Sequence, residues 1–335
     1  MKLIIIGGSG GTHIGDAFRK AALDLKLEPI LMNFQQAYET PRWIQLISRH
    51  LRGKLPPRLH NFSQEVIQKC SDFKPRWLVA TGIMPIHRQA LQEVGKMGIQ
   101  RLNYLTDDPW NPAHRAKWFL QALPFYDAVF SVRRANLLDL KQVDCKKVKY
   151  LPFGYAPELF YREPPPSQQR DQFTSDVVFV GAADRERFPY IKALIHSGFK
   201  IGLYGSFWER FPETRSLTRG QADLRTLRFA ISSTKVALCL VRRANRDGNS
   251  MRTFEIPAIG ACMLTEDTQE HREIFGEEGK AVVYFKSVNE MLKKAKLLLN
   301  NEEKRSRLAV KAHDLIVNGG HTYQNRLSAM LDFRG

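Results

Sequence analysis

The densest cluster of side chains able to do chemistry lies in RRANRDGNSMRTFEIPAIGACMLTE, residues 242–266. An apolar run, KVALCLV (235–241), leads into a polar loop holding Asp247, Gly248 and Asn249, and a helix signal begins near Ser250. The unpaired N–H groups of a helix start, with Arg252 beside them, suit a diphosphate. We expect the amides of Asn249 and Ser250 to join that seat, and Glu255 to accept hydrogen bonds from paired hydroxyls such as a ribose presents. Pro257 lacks an N–H and is tolerated near a helix start, so this helix is expected to begin late or run irregularly. The alternative is an ordinary loop and helix with a solvated arginine.

Upstream, DVVFVGAADRERFPYIKAL (176–194) ends a strand at Gly181 and follows it with Arg185, Arg187 and Lys192. Cations just past the carboxyl end of a strand can neutralise phosphates; for Arg185 a solvated position fits better. In YLTDDPWN (104–111), also at a strand end, Asp107 is placed to orient an acceptor hydroxyl or take its proton. Asp108, just before Pro109, suits a turn or helix cap. A metal site on the paired acids is the weaker reading, because no His or Glu stands at ligand spacing.

The loop GGSGGTHIGD (7–16) lies between a strand and a helix. Gly10 and Gly11 let the backbone approach a ligand, and the helix behind them offers N–H groups to an anion. As a dinucleotide fingerprint the loop fails, since Gly8-x-Gly10-x-x ends on His13, and without Gly-Lys-Ser/Thr it is no P-loop. His13 is either a base or phosphate donor, or a turn residue without a role.

The elements that must position these residues alternate. Strand signals fall at 3–8, 28–34, 76–82, 100–106, 127–132 and 147–154, with helical stretches between them. The proline-rich EPPPSQQRDQFTS (163–175) reads as a linker. Alternation then restarts at 176–181, 199–205, 235–241, 261–265 and 280–285, and Lys/Glu/Leu-rich helices run from about Val288 to Val317. Strands separated by helices of this length imply parallel sheets with right-handed crossovers. The expectation is therefore α/β, with two Rossmann-like domains, one over 1–162 and one over 176–320. Residues 321–335 are candidates to pack back on the first domain.

The string MRTFEIPAIGACMLTE (251–266), with YLPFGYAPELF (150–160) and DVVFVGAADRER (176–187), resembles the CgeB-type (spore maturation protein) branch of the group 1 glycosyltransferases. The likeness covers most of the second domain; in the first it extends to the β/α order and the TDDPW segment. It implies a GT-B fold, a nucleoside diphosphate sugar as donor, no tightly bound cofactor, no required metal, and retention of anomeric configuration. The active site would then lie in the cleft between the domains. Of the family's E-x7-E pattern, Glu255 matches the acid that holds the donor ribose, and Asp247 stands where the first Glu is usual. Arg187 and Lys192 fall in the region where the family holds the diphosphate. Gly10, Gly11 and Gly181 complete the candidate donor-contacting set, with Asp107 and His13 as candidate catalytic groups.

Composition narrows the rivals. Net charge is +17, and residues 1–150 hold 23 Lys+Arg against 12 Asp+Glu. Such a field favours an anionic partner: phosphate, nucleic acid or an acidic membrane surface. A non-catalytic nucleic-acid-binding protein is one rival, though no recognised module supports it. A nicotinamide-dependent oxidoreductase is another, but Asn33 and Gln35 stand where its acid is needed. The four cysteines (Cys70, Cys145, Cys239, Cys262) form no C-x-x-C pair and read as free buried thiols. The chain opens directly on a strand and has no membrane-length apolar run, so a cytoplasmic location is expected. Within residues 34–62, Trp43, Ile44, Leu46, Ile47 and Leu51 fall at helical spacing among Arg42, Arg49 and Arg52. That helix either packs its apolar stripe on the core or touches anionic lipid at the inner face of the membrane. The acceptor (protein, glycan or lipid-linked) is not legible.

Overall fold

Ile4, Ile5 and Ile6 are wholly buried, and so are Leu78, Val79 and Ala80 on the neighbouring strand. Runs without alternation mark strands covered on both faces, as parallel sheets are. In the computed structural model, which describes residues 1–50 and 53–333, six strands form one sheet, the inner ones buried and the edge strands partly exposed. They are β1 (Lys2–Gly7), β2 (Glu28–Asn33), β3 (Trp77–Thr81), β4 (Gln100–Leu105), β5 (Ala128–Ser131) and β6 (Val148–Tyr150). Their order is β2-β1-β3-β4-β5-β6, parallel throughout, with Ile4 opposite both Ile30 and Leu78.

A second parallel sheet holds β7 (Ser175–Val180), β8 (Ile201–Tyr204), β9 (Thr234–Cys239), β10 (Met263–Glu266) and β11 (Val283–Phe285) in the order β11-β10-β9-β7-β8. In each sheet the chain winds outward from its first strand, returns, and winds the other way. The order therefore reverses between β1 and β3, and again between β7 and β9. In open α/β sheets ligands bind outside the carboxyl ends of the strands at such a switch point.

The chain divides by contacts into two units. The first comprises Met1–Phe153, Ala244–Arg246 and the segment from Tyr323 onward; the second comprises Gly154–Arg243 and Asp247–Thr322. The boundary at Phe153/Gly154 precedes the proline-rich stretch because the residues after it are tied into the second unit. Arg228 donates to the Leu159 carbonyl at 2.9 Å and to Glu163 at 2.5 Å. The stretch expected as a linker contains a turn, Ser167–Gln169, and a short helix, Arg170–Phe173.

Within the first unit, the C-terminal helix Tyr323–Leu331 packs on the helix Ile14–Asp24, with Tyr323 and Phe18 edge to face at 5.9 Å. Arg326 on that helix donates to the carbonyls of Pro152 (2.9 Å) and Phe153 (3.0 Å). In the second unit, helices Val288–Leu299 and Glu302–Asn318 are separate elements, each started by a side-chain cap: Ser287 on the Glu290 amide, Asn301 on the Lys304 amide. Such caps satisfy donors that a helix start leaves unpaired. All four cysteines are free and buried, and burial pushes the thiols of Cys70, Cys145 and Cys262 up to about 12.

The helix Arg42–His50 turns Ser48 inward, buried, with Ile44 partly covered. Its apolar stripe of Trp43, Leu46 and Ile47 faces outward, so the core-packing alternative fails for those three. Leu51 and Arg52 lie outside the described residues. Among the described residues, no helix is long and apolar enough to cross a membrane.

Candidate functional site

The second unit concentrates cations at its switch point. Arg187, at the start of the helix Phe188–His196, donates to the Ala182 carbonyl (3.2 Å) just past β7 and to the Leu240 carbonyl (3.2 Å) just past β9. Arg252, in the first turn of the helix Met251–Ile259, donates to the carbonyl of Val180, the last residue of β7, at 3.2 Å. Two guanidinium groups therefore stand on main-chain oxygens of the central pair of strands, where the order of strands reverses.

The two are neutralised to different degrees. Arg252 donates to the buried Glu255 one helical turn on. Arg187 has Asp184 as its ion-pair partner at 3.6 Å, beyond hydrogen-bond range, and its buried Nε makes no hydrogen bond within the chain. Burial holds the Arg187 guanidinium below its ordinary pKa, opposed in part by Asp184 and Asp247. A largely covered cation lacking a hydrogen-bonded carboxylate is poised to take an anionic ligand.

The loop between β9 and the helix Met251–Ile259 is built tightly. Asn249 is wholly buried. Gly248 lies so close to Glu270 that a Cβ would overlap the carboxylate, and its carbonyl accepts from Thr268 Oγ1 at 2.6 Å. Ser250 and Thr253 form a reciprocal capping box in which the Ser250 amide donates to Thr253 Oγ1 at 3.0 Å. That amide, expected on a diphosphate, is thus engaged by its own helix. The helix begins directly after Ser250, and Pro257 sits inside it rather than near its start. The missing N–H falls in the last turn, before Gly260 ends the helix in the left-handed region at φ 88°.

Other expected residues sit as follows. Glu255 is held by Arg252 rather than standing open. Asp247 is partly buried, its amide donating to the Arg242 carbonyl at 3.2 Å. Gly181 follows β7 and its carbonyl accepts from Trp208 Nε1 at 2.8 Å. Lys192 is not brought to the cluster: five residues beyond Arg187 on the same helix, it pairs with Glu213 at 2.8 Å.

Sequence reasoning missed the residues behind the cluster. Glu266 ends β10, accepts from the Val241 amide at 2.7 Å and pairs with Arg243 at 2.9 Å, fixing the loop after β9. His271 is wholly buried between Thr253 Oγ1 (2.9 Å, on Nε2) and the Glu266 carbonyl (2.8 Å, on Nδ1). Burial lowers its pKa to about 4, so it is neutral and ties the helix Met251–Ile259 to β10. Trp208 is wholly buried against the end of β7. A signal for Glu266 existed, since it closes the strand string MLTE at a carboxyl edge.

In the first unit, Asp107 follows β4 and receives a long hydrogen bond from Thr106 Oγ1 at 3.4 Å. His13 is the exposed residue before the helix Ile14–Asp24, its ring packed so closely on Gly8 that a Cβ there would fall 2.6 Å from Nδ1. β3 lies between β1 and β4, so the two groups belong to strand ends roughly 10 Å apart. Gly10 and Gly11 adopt φ 93° and 59°, a turn that side-chained residues resist. The Gly10 amide donates to Asp16, an acid in the first turn of the helix that sequence reading overlooked. Asp108 accepts from the Trp110 amide at 3.0 Å, a turn role, and also from Arg246 at 2.7 Å. Burial would raise its pKa, but the hydrogen bonds of Arg246, the Trp110 amide and Asn136 hold it below the carboxylate range. Among the described residues no three of His, Cys, Asp and Glu converge as a metal site.

Solved structures share the fold of both units. Sucrose-phosphate synthase from Thermosynechococcus elongatus superposes with a TM-score of 0.70 at 12% identity, covering 99% of this chain and 97% of that one. HepE from Anabaena in complex with UDP-glucose superposes at 0.67 and 14% identity, with 99% of each chain covered. The fold is GT-B. A putative UDP-N-acetylglucosamine 2-epimerase from Listeria monocytogenes also aligns, at a TM-score of 0.61 and 13% identity over 98% of this chain and 95% of that one. The GT-B fold thus carries more than one reaction, and fold alone does not choose between them. Residues 185–332 match a family model described as glycosyl transferase-like, and that span holds Arg187, Asp247, Arg252 and Glu255. No curated protein sequence matches the chain.

Proposed function

We propose that this protein is a glycosyltransferase that takes its sugar from a nucleoside diphosphate sugar bound at the switch point of the second unit. The observation that carries the reading is Arg187: a guanidinium only 12% exposed, anchored on the carboxyl ends of two strands, its buried Nε unpaired by hydrogen bonds. A diphosphate oxygen would supply that acceptor. The glycosyl transferase-like match over the same residues favours transfer over epimerisation. The string MRTFEIPAIGACMLTE supports placing the chain in the CgeB-like branch.

In this reading the bond from the sugar C1 to the terminal phosphate oxygen breaks, and C1 joins the acceptor oxygen. Negative charge grows on the departing diphosphate, where Arg187 and Arg252 stabilise it without a required divalent metal. Glu255 takes the ribose hydroxyls once the nucleotide draws Arg252 toward its phosphates, with Gly181, Asp247, Asn249 and Ser250 lining the seat. Gly10 and Gly11 belong to the acceptor-side loop. We assign the acceptor hydroxyl to Asp107 and His13. With retention they orient it while its proton passes to the leaving phosphate oxygen; with inversion one of them takes the proton.

The test is incubation with UDP-, GDP- and ADP-sugars, reading both nucleoside diphosphate and sugar by mass spectrometry. Slow release of one nucleoside diphosphate with free sugar, water standing in for the acceptor, is the expected result. An isomerised sugar still attached to its nucleotide would assign the epimerase reaction instead.

A further inference from the structure

The helix Arg42–His50 carries an apolar face that its own domain does not use. Trp43 is 63% exposed, Leu46 50% and Ile47 38%, at the i, i+3, i+4 spacing that lines one side of a helix. The inward side is occupied by Ser48, 5% exposed, while the amide of the exposed Gln45 donates to the carbonyls of Tyr38 (3.0 Å) and Thr40 (2.9 Å). The helix is thus fixed with its apolar side outward.

Its surroundings are cationic. Residues 40–64 contain five Lys or Arg and no Asp or Glu. Beyond the helix, the Lys54 amide donates to the Ser48 carbonyl at 3.0 Å, and the Lys54 ammonium donates to the Pro112 carbonyl. Trp118 Nε1 donates to the Lys54 carbonyl at 3.1 Å. These bonds place the exposed Arg115 and Lys117 in the segment beside the helix. The acid nearest in sequence, Glu39, lies 3.9 Å from Arg58.

We infer that this face seats the protein on an anionic phospholipid surface, with Trp43, Leu46 and Ile47 entering the headgroup–acyl boundary and Arg42, Arg115 and Lys117 meeting lipid phosphates. A Trp with two aliphatic neighbours, next to Arg42 and in a segment rich in arginine and lysine, has the composition of an interfacial helix. A like-charged second copy of this +17 chain is electrostatically disfavoured on the same face. The inference is independent of the sugar chemistry.

The experiment is flotation with vesicles of phosphatidylcholine alone and with vesicles in which roughly one-third of the lipid is phosphatidylglycerol. Wild type is expected on the anionic vesicles only, with binding reduced by salt. The variant Trp43→Ser/Leu46→Ser/Ile47→Ser should bind at least about tenfold more weakly with its melting temperature unchanged. Trp43→Phe should still bind but lose most of the fluorescence quenching by brominated acyl chains. Equal binding of wild type and triple variant would overturn the inference. So would a wild-type dimer in sedimentation velocity that the triple variant dissolves, since the face would then be a self-interface.

Discussion

Arg187 reaches the carbonyl of Leu240 across 3.2 Å, joining the start of one helix to the end of β9 on the other side of the switch point. The contact gives the guanidinium an anchor but little neutralisation, because main-chain oxygen carries only partial charge. The cation is fixed in place and under-compensated, as a site for a diphosphate requires.

Arg187→Met should therefore separate binding from stability. Removing this weakly paired cation takes the donors from the Ala182 and Leu240 carbonyls, so the unliganded protein should lose no more than about 1–3 kcal/mol and remain folded. Nucleoside diphosphate affinity should fall by about 1.5–3 kcal/mol, the worth of a hydrogen bond to a charged group. Thermal melts with and without nucleotide read both quantities.

Arg252 and Glu255 behave as a pair. Arg252→Ala strands a carboxylate whose side chain is 3% exposed, and should destabilise the fold by about 3–5 kcal/mol at neutral pH. Glu255→Gln removes the charge but keeps the shape, so it should fold well and weaken nucleotide binding. Urea denaturation of both variants checks the contrast.

His271 gives the second unit an acid sensitivity. Its pKa is about 4 folded against 6.5 unperturbed, so between those values the unfolded chain binds the extra proton. Stability should be unaffected by this group above pH 6.5, fall by roughly 3 kcal/mol toward pH 4, and change no further below that. His271→Gln should flatten that slope in denaturation curves taken across the range.

Asp107→Asn should slow glycosyl transfer by about 10²-fold or more while leaving nucleotide affinity unchanged, as loss of a group acting on the acceptor proton would. Normal turnover in a folded Asp107→Asn would remove its assigned role.

The strands were legible because both sheets are parallel and buried: LIIIGG, DVVFVG and KVALCLV are apolar runs ending in polar or glycine residues. That Arg187 and Arg252 stand beyond strand ends was legible, but that β7 and β9 are neighbours at the switch point was not. Tertiary pairing was not legible. Nothing local in the sequence says that Lys192 will turn to Glu213, 21 residues on. Arg252 and Glu255, by contrast, stand at the i, i+3 spacing of helix neighbours, and their pairing was open to reading. Pro257 misled for a related reason, since propensity speaks of isolated helices and this one is packed against the helix Glu302–Asn318. The outward stripe of Trp43, Leu46 and Ile47 was undecidable from periodicity, which finds an apolar face but not what covers it.

The most direct test of the central claim is titration calorimetry of wild type and Arg187→Met with UDP, GDP, ADP and CDP. The account predicts that one nucleoside diphosphate binds wild type, and that folded Arg187→Met binds it at least about tenfold more weakly. Failure of wild type to bind any of the four, or equal affinity in the variant, would contradict it.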